Sequence, residues 1–98
     1  MNIARISPVA SEQVSEIWEY LEDVKSGLGD DFFTEFTTTI QVIERHPSAF
    51  QLINPIIRRA VLRKFRYSIF YHYHPDPFTL DIIEVIHQSR NPDEWPTK

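Results

Sequence analysis

The short stretch Tyr67–His74 constrains the fold more than any other part of the sequence, because its residues alternate in character. Successive side chains of a β-strand point to opposite faces of the sheet, so the alternation predicts a strand with two different faces. One face is almost entirely aromatic, which is typical of a buried surface, and another layer of the protein must therefore cover it. Tyr67, Ile69, Tyr71 and Tyr73 form this face, and Ser68, Phe70, His72 and His74 form the other.

Two helices are predicted upstream of this strand. The first begins at Ser7-Pro8, since Ser is a good N-cap and Pro is tolerated at the first helical position. We expect Gly27-Leu28-Gly29 to end it through a left-handed cap, and a second helix to run from about Asp30 until Pro47 stops it. The two helices then form an antiparallel hairpin. The apolar stripe predicted to pack on the sheet consists of Val14, Ile17, Trp18, Leu21, Phe33, Phe36, Ile40 and Ile43.

Further strands are predicted on both sides of the hairpin. A short strand at Ile3–Ile6 precedes the first helix, and strands at about Arg58–Arg63 and Thr79–His87 flank Tyr67–His74 in the sequence. The predicted order is β-α-α-β-β-β, an N-terminal strand and an α-helical hairpin packed on an antiparallel β-sheet. The fold class is therefore α+β, with two layers in a single domain over residues 1–98.

The composition excludes several classes of protein. The chain has no Cys, which excludes a disulfide framework, a thiolate nucleophile and a Cys-based zinc site. A net charge of −4 disfavours direct DNA binding by this chain alone, since proteins that bind phosphate backbones usually carry a basic excess. No stretch is apolar enough to span a membrane, and the N-terminal residues lack the apolar run of a signal peptide. We therefore expect a cytoplasmic protein without a membrane partner.

Charge is divided unevenly along the chain. The segment Arg58–Arg66 is basic and contains no acid. Together with the aromatic residues that follow, it could bind RNA, or it could meet acids of the chain itself or of a partner. The first part of the chain is acidic instead, with Lys25 as its one basic residue between residues 12 and 35. The acids there are Glu12, Glu16, Glu19, Glu22, Asp23, Asp30, Asp31 and Glu35.

Histidine residues are the main candidates for chemistry. His72 and His74 should point to the same face of their strand and could bind a metal ion, with Asp76 or His87 completing the site. Two strand His residues near a turn more often form a solvated face, so we predict no metal and no cofactor. His87 ends the last strand beside Arg90 and could act as a general acid or base. It could equally cap or pack against the end of the strand.

Several strings of the sequence, in their order, resemble the RelE/ParE superfamily of bacterial toxins, and specifically ParE. They are SPVASEQVSEIWEYL, FFTEFTTTIQVIERHPSAF, IRRAVLRKFRYSIFYHY and EVIHQSRNPDEW, and they cover essentially the whole chain. The resemblance implies the β-α-α-β-β-β fold and a role as the toxin of a type II toxin–antitoxin system. It also implies that functional residues lie around the end of the last strand.

The superfamily has two activities, and the residues at matching positions favour one of them. RelE-type members cut messenger RNA on the ribosome with several basic side chains of the sheet, yet Val61 and Ser68 occupy two of these positions here. Trp95 lies where RelE has a Tyr, and an indole offers only an N–H donor, so it cannot exchange a hydroxyl proton. The resemblance to RelE leaves His87, Arg90 and Arg59 as the catalytic residues of this alternative.

ParE-type members inhibit DNA gyrase by binding it, and the sequence resembles them more closely. This implies a binding protein without catalysis, whose target is contacted by Arg58, Arg59, His87, Arg90 and Trp95. A third possibility is a weakly toxic member that is kept for its antitoxin complex.

Every toxin of this superfamily implies a co-encoded antitoxin as its partner. The antitoxin is commonly a ribbon-helix-helix protein whose disordered C-terminal segment folds onto the toxin. The acids between residues 12 and 35 predict a basic, partly amphipathic antitoxin segment. We expect this segment to contact Trp18, Leu21, Phe33 and Phe36.

Overall fold

The computed structural model describes residues 3–75 and 78–96. Asp76, which the sequence offered as a metal ligand, lies outside the described residues. The elements in chain order are β1 (Ala4–Ile6), α1 (Pro8–Val24), α2 (Leu28–Arg45), β2 (Gln51–Leu52), β3 (Ile57–Val61), β4 (Tyr67–Pro75), β5 (Phe78–His87) and a 3₁₀ turn (Pro92–Glu94).

The five strands form one sheet in the order β1-β5-β4-β3-β2, and both helices lie on one of its faces. This confirms the predicted two-layer α+β fold. The strands from β2 to β5 pair antiparallel, whereas β1 pairs parallel with β5, so the sheet is mixed. The short strand β2 was not predicted, because two residues are too few to show an alternation.

The start of α1 follows the prediction, but the joint between the helices does not. Ser7 Oγ accepts a hydrogen bond from the N–H of Ala10 at 3.0 Å. At the joint, α1 ends at Val24 without a glycine cap, and α2 begins at Leu28 rather than at Asp30. The left-handed residue is Gly27, with φ of 89°, and it stands directly before α2.

The carboxylate of Glu22 explains why α2 begins early. It accepts hydrogen bonds from the backbone N–H groups of Gly27, Gly29 and Asp30 at 3.0, 3.1 and 3.3 Å. These are donors that the start of a helix otherwise leaves unpaired, and a negative charge is favourable there. Gly29 is needed at this place because a Cβ atom would lie 2.7 Å from the carbonyl oxygen of Trp18.

The core between helices and sheet corrects the predicted stripe at two positions. Phe36 is 1% exposed, and Phe32, four residues earlier in α2 and outside the predicted stripe, is fully buried with it against the sheet. Trp18 and Phe33, both predicted to be core, are instead 39% and 48% exposed. Successive side chains of a helix point about 100° apart, so an apolar stripe has edges that the neighbouring layer covers only in part. Trp18 and Phe33 lie at these edges.

A second, smaller core lies on the face of the sheet opposite the helices, here called the open face. Ile57, Phe70 and Ile86 are buried in it. The segment after β5 returns across this face, and the ring of Trp95 lies 5.4 Å from that of Phe70. The end of the described chain is therefore packed onto the sheet. Among the described residues, no helix is long and apolar enough to cross a membrane.

Candidate functional site

One candidate site is a cleft between α1 and the outer edge of β5. β1 pairs with β5 only from Leu80 to Ile82, so beyond Ile82 the outer edge of β5 has no strand neighbour in the described part of the chain. We call the space beside it the edge cleft, and it has a volume of about 320 Å³. It is lined by Gln13, Glu16, Ile17, Tyr20, Tyr67, Glu84, Val85, Ile86, His87, Arg90 and Glu94.

Gln13 closes part of the free strand edge. Its Oε1 accepts the backbone N–H of Val85 at 2.7 Å, and its Nε2 donates to the carboxylate of Glu84 at 3.3 Å. The side chain thus replaces a neighbouring strand for one residue. Sequence reasoning missed both Gln13 and Tyr20, which is 62% exposed on the same side of α1. The sequence does contain a signal for Tyr20, because this aromatic residue lies among acidic residues of the chain.

His87 lies in the edge cleft, on the helix side of the sheet. Its ring meets that of Tyr67 edge-on at 5.0 Å. Its Nδ1 accepts the backbone N–H of Ser89 at 3.0 Å and lies 2.8 Å from the Ser89 hydroxyl. An Nδ1 that accepts a backbone N–H carries no proton, so the neutral ring is protonated at Nε2. His87 therefore orders the turn that leaves β5.

Arg90 shares the edge cleft with His87. Its Nη1 donates to the carboxylate of Glu94 at 2.8 Å, and the two side chains remain 61% and 52% exposed. An ion pair this exposed contributes at most about 1 kcal/mol to stability. The guanidinium of Arg90 can consequently exchange Glu94 for another acid or for a phosphate.

Arg59 and Trp95 form a separate group on the open face. The guanidinium of Arg59 lies 4.6 Å from the centre of the Trp95 ring. Its Nε donates to Ser68 Oγ at 2.9 Å. Both a cation–π contact with Trp95 and a hydrogen bond to Ser68 therefore hold Arg59 in place.

Arg58 occupies a third place, on the helix side of β3. Its Nη1 donates to the carbonyl oxygens of Ser48 and Phe50 at 3.0 and 2.7 Å. Its cross-strand neighbour Tyr71 is fully buried and donates its hydroxyl to the carbonyl of Pro47 at 2.6 Å. Burial raises the pKa of Tyr71 to about 12, and the positive charge of Arg58 opposes this shift. Arg58 thus holds the loop before β3.

The predicted target-binding residues therefore lie in three separate places: His87 and Arg90 in the edge cleft, Arg59 and Trp95 on the open face, and Arg58 beside the loop before β3. A β-bulge in β5 explains why His87 lies on the helix side of the sheet. Phe70 pairs with Glu84 but Tyr71 pairs with Ile82, so Ile83 is an extra residue in β5. An extra residue reverses the alternation beyond it and directs His87 to the helix side. Arg59, opposite Phe70, stays on the open face.

A second candidate site is an apolar groove between the outer surfaces of α1 and α2. We call it the hairpin groove, and it has a volume of about 440 Å³. The indole N–H of Trp18 donates to Asp30 Oδ1 at 2.9 Å, which leaves the ring face exposed. Of the predicted antitoxin contacts, Leu21 and Phe36 are buried and offer no surface. The lining residues are Val14, Ser15, Trp18, Glu19, Asp30 and Phe33.

Of the two metal sites considered from the sequence, the one completed by His87 is not assembled, and the one completed by Asp76 involves a residue outside the described part of the chain. His87 pairs with Tyr67 at one end of β4, whereas His74 pairs with Thr79 at the other end. Within the described residues, no group of three or more His, Cys, Asp or Glu side chains could hold a metal ion.

Comparison with known proteins adds the family. The model of a family described as the ParE toxin of the type II toxin–antitoxin system, parDE, matches residues 4–92. The chain belongs to the ParE toxin family. It is thus a ParE-type toxin of a toxin–antitoxin system, and the family implies an antitoxin as its partner. No curated protein sequence matches it.

Two solved structures share the fold of this ParE-family toxin. It is similar to the chromosomal ParDE toxin–antitoxin system from P. aeruginosa, with a TM-score of 0.77 and 10% identity over 89% of this chain and 96% of that chain. It is also similar to the isolated E. coli RelE toxin, with a TM-score of 0.65 and 16% identity over 95% of this chain and 90% of that one. At such identities the likeness shows the fold alone, and the activity must be argued from the site.

Proposed function

We propose that this ParE-family toxin inhibits DNA gyrase by binding it and catalyses no reaction itself. The observation that carries the proposal is the separation of the candidate catalytic residues. His87 lies in the edge cleft, on the helix side of the sheet, while Arg59 lies on the open face under Trp95. A nuclease needs its acid, base and phosphate-binding groups around one reacting phosphate. These side chains are better suited to separate contacts with a protein surface.

A ribosome-dependent ribonuclease remains the second candidate, and one observation favours it. His87 and Arg90 line the same cleft, so a general acid or base and a phosphate ligand are available there. The negative charge of the cleft weighs against it, because Glu16, Glu84 and Glu94 would repel an RNA backbone.

Induction of the toxin in bacteria distinguishes the two activities. Gyrase inhibition should change plasmid supercoiling and produce double-strand breaks, with translated messages left intact. A ribonuclease should cut messages during translation and leave supercoiling unchanged. A chain that does neither, and still binds its antitoxin, would be a member kept for the complex.

Replacing His87 by glutamine should leave growth inhibition within a few-fold of the wild type. Glutamine retains hydrogen-bonding groups near the turn but cannot transfer a proton as imidazole does. The measurement is the growth rate after induction at matched protein levels. If His87 were a general acid or base, its loss would reduce the rate by about 10²–10⁴-fold. A folded, non-toxic His87→Gln protein, whose parent cleaves translated messages and leaves plasmid supercoiling unchanged, would contradict the gyrase proposal.

Replacing Arg90 by alanine should weaken gyrase inhibition about tenfold. A hydrogen bond to a charged group contributes about 1.5–3 kcal/mol, and no small side chain replaces a guanidinium. The measurement is the toxin concentration that halves gyrase supercoiling in vitro. Arg45→Ala is the control, since Arg45 is exposed on α2 outside both candidate sites. Equal inhibition by both variants would remove Arg90 from the target contact.

The proposed antitoxin site is the hairpin groove. Trp18 and Phe33 expose aromatic surface there, and Glu19 and Asp30 add negative charge. An amphipathic segment with apolar anchors and basic flanks complements both features. We assign this segment to a ribbon-helix-helix antitoxin, whose binding neutralises the toxin in the cytoplasm. The toxin alone, with a net charge of −4, is not expected to bind DNA.

A further inference from the structure

Two histidines of β4 are in contact outside both candidate sites. The rings of His72 and His74 lie 3.6 Å apart between centroids, with an angle of 48° between their planes. The backbone holds them in this arrangement, because His72 pairs with Ile57 of β3 and with Asp81 of β5, and His74 pairs with Thr79. Two imidazoles two residues apart on a strand face can present nitrogen atoms to the same point in space.

Free space adjoins both rings. The hollow that His72 and His74 line has a volume of about 500 Å³, and Ser48, Leu52 and Pro55 line it as well. It exists because β3 begins opposite His72 and gives His74 no neighbour on that side. A cation with several water molecules fits into this space, since one water occupies about 30 Å³ of liquid volume.

The charged side chains near the two histidines already have partners within the protein. Arg5 binds both carboxylate oxygens of Asp81, at 2.9 and 3.3 Å. Arg58 lines the hollow, but its guanidinium is held by the carbonyls of Ser48 and Phe50.

We propose that His72 and His74 form a two-imidazole chelate for a divalent transition-metal cation such as Ni²⁺ or Zn²⁺. Imidazole suits these ions, whereas Mg²⁺ and Ca²⁺ prefer oxygen ligands. Because no third side chain of the described residues converges with the pair, water completes the coordination. The site lies apart from the edge cleft and the hairpin groove, so the proposal does not depend on gyrase or on the antitoxin.

The test is a titration of the untagged, full-length toxin with NiCl₂, followed by calorimetry and by NMR of the histidine ring protons. Paramagnetic Ni²⁺ should broaden the His72 and His74 signals first and leave those of His46 and His87 sharp. Zn²⁺ should bind with a stoichiometry of one and raise the melting temperature, because a ligand stabilises the state that it binds. Mg²⁺ should have no effect.

The matched variants are His72→Gln, His74→Gln and His46→Gln. Either of the first two should weaken Ni²⁺ binding at least about tenfold, because altering even an outer-shell partner costs 10–100-fold. His46 is exposed at the end of α2, and its replacement should change nothing. Melting curves in EDTA check that each variant folds. Unchanged affinity in both His72→Gln and His74→Gln, first broadening at His46 or His87, or no saturable binding below millimolar Ni²⁺, would each overturn the proposal.

Discussion

Replacing Phe36 by alanine should lower the free energy of unfolding by about 3–5 kcal/mol, the range observed for large truncations in protein cores. Phe36 is 1% exposed, and the centre of its ring lies 6.1 Å from that of Phe32 and 6.2 Å from that of Phe33. Small domains unfold with only about 5–15 kcal/mol in total, so the variant should lose much of its stability. Urea denaturation followed by circular dichroism gives the value directly.

Phe33→Ala is the matched control for this prediction. It removes the same type of side chain three residues earlier in the same helix, but this ring is 48% exposed. Its loss should cost clearly less than that of Phe36, since much of its surface already contacts water. Two variants with equal unfolding free energies would show that the described core is wrong at α2.

The architecture followed from the sequence because it depends on periodicity and on turn residues. The alternation in β4 predicted correctly that Tyr67, Tyr71 and Tyr73 share one face, which packs against the helices, and Ser7-Pro8 predicted the start of α1. The helix joint could not be predicted in the same way. Its position depends on the carboxylate of Glu22, which reaches the start of α2 only after the two helices have packed together.

The candidate site was less predictable, because the position of His87 depends on a single bulged residue in β5. If β5 ran through Ile83 without a bulge, it would keep the alternation of Leu80 and Ile82, and His87 would lie on the open face with Arg59. No local pattern in the run of Ile and Val residues marks that bulge. The exposure of Trp18 could not be predicted from a local pattern either. A helical period locates an apolar stripe, but it does not show which edge of the stripe the neighbouring layer covers.

Replacing Trp18 by alanine should raise the dissociation constant of the antitoxin complex by roughly 30-fold or more, which corresponds to at least about 2 kcal/mol. Energetically dominant contacts in interfaces are enriched in Trp and lie in pockets that become fully desolvated. Trp18 meets these conditions in the hairpin groove: its indole N–H is already paired with Asp30, and its ring is exposed beside Phe33. The prediction rests on the proposed antitoxin site and not on the toxin's target.

Calorimetry with the co-encoded antitoxin measures this effect, and Tyr20→Ala is its control. Tyr20 is a more exposed aromatic residue of the same helix, but it lines the edge cleft instead of the hairpin groove. If any exposed aromatic ring of α1 served equally well, both variants would weaken the complex alike, and the groove would lose its assignment. If only Trp18→Ala does so, then the variant should also escape neutralisation in cells and inhibit growth at antitoxin levels that silence the wild type. Melting curves of the free variants separate this result from a loss of folding, because the Trp18 ring also packs close to Gly29 at the start of α2.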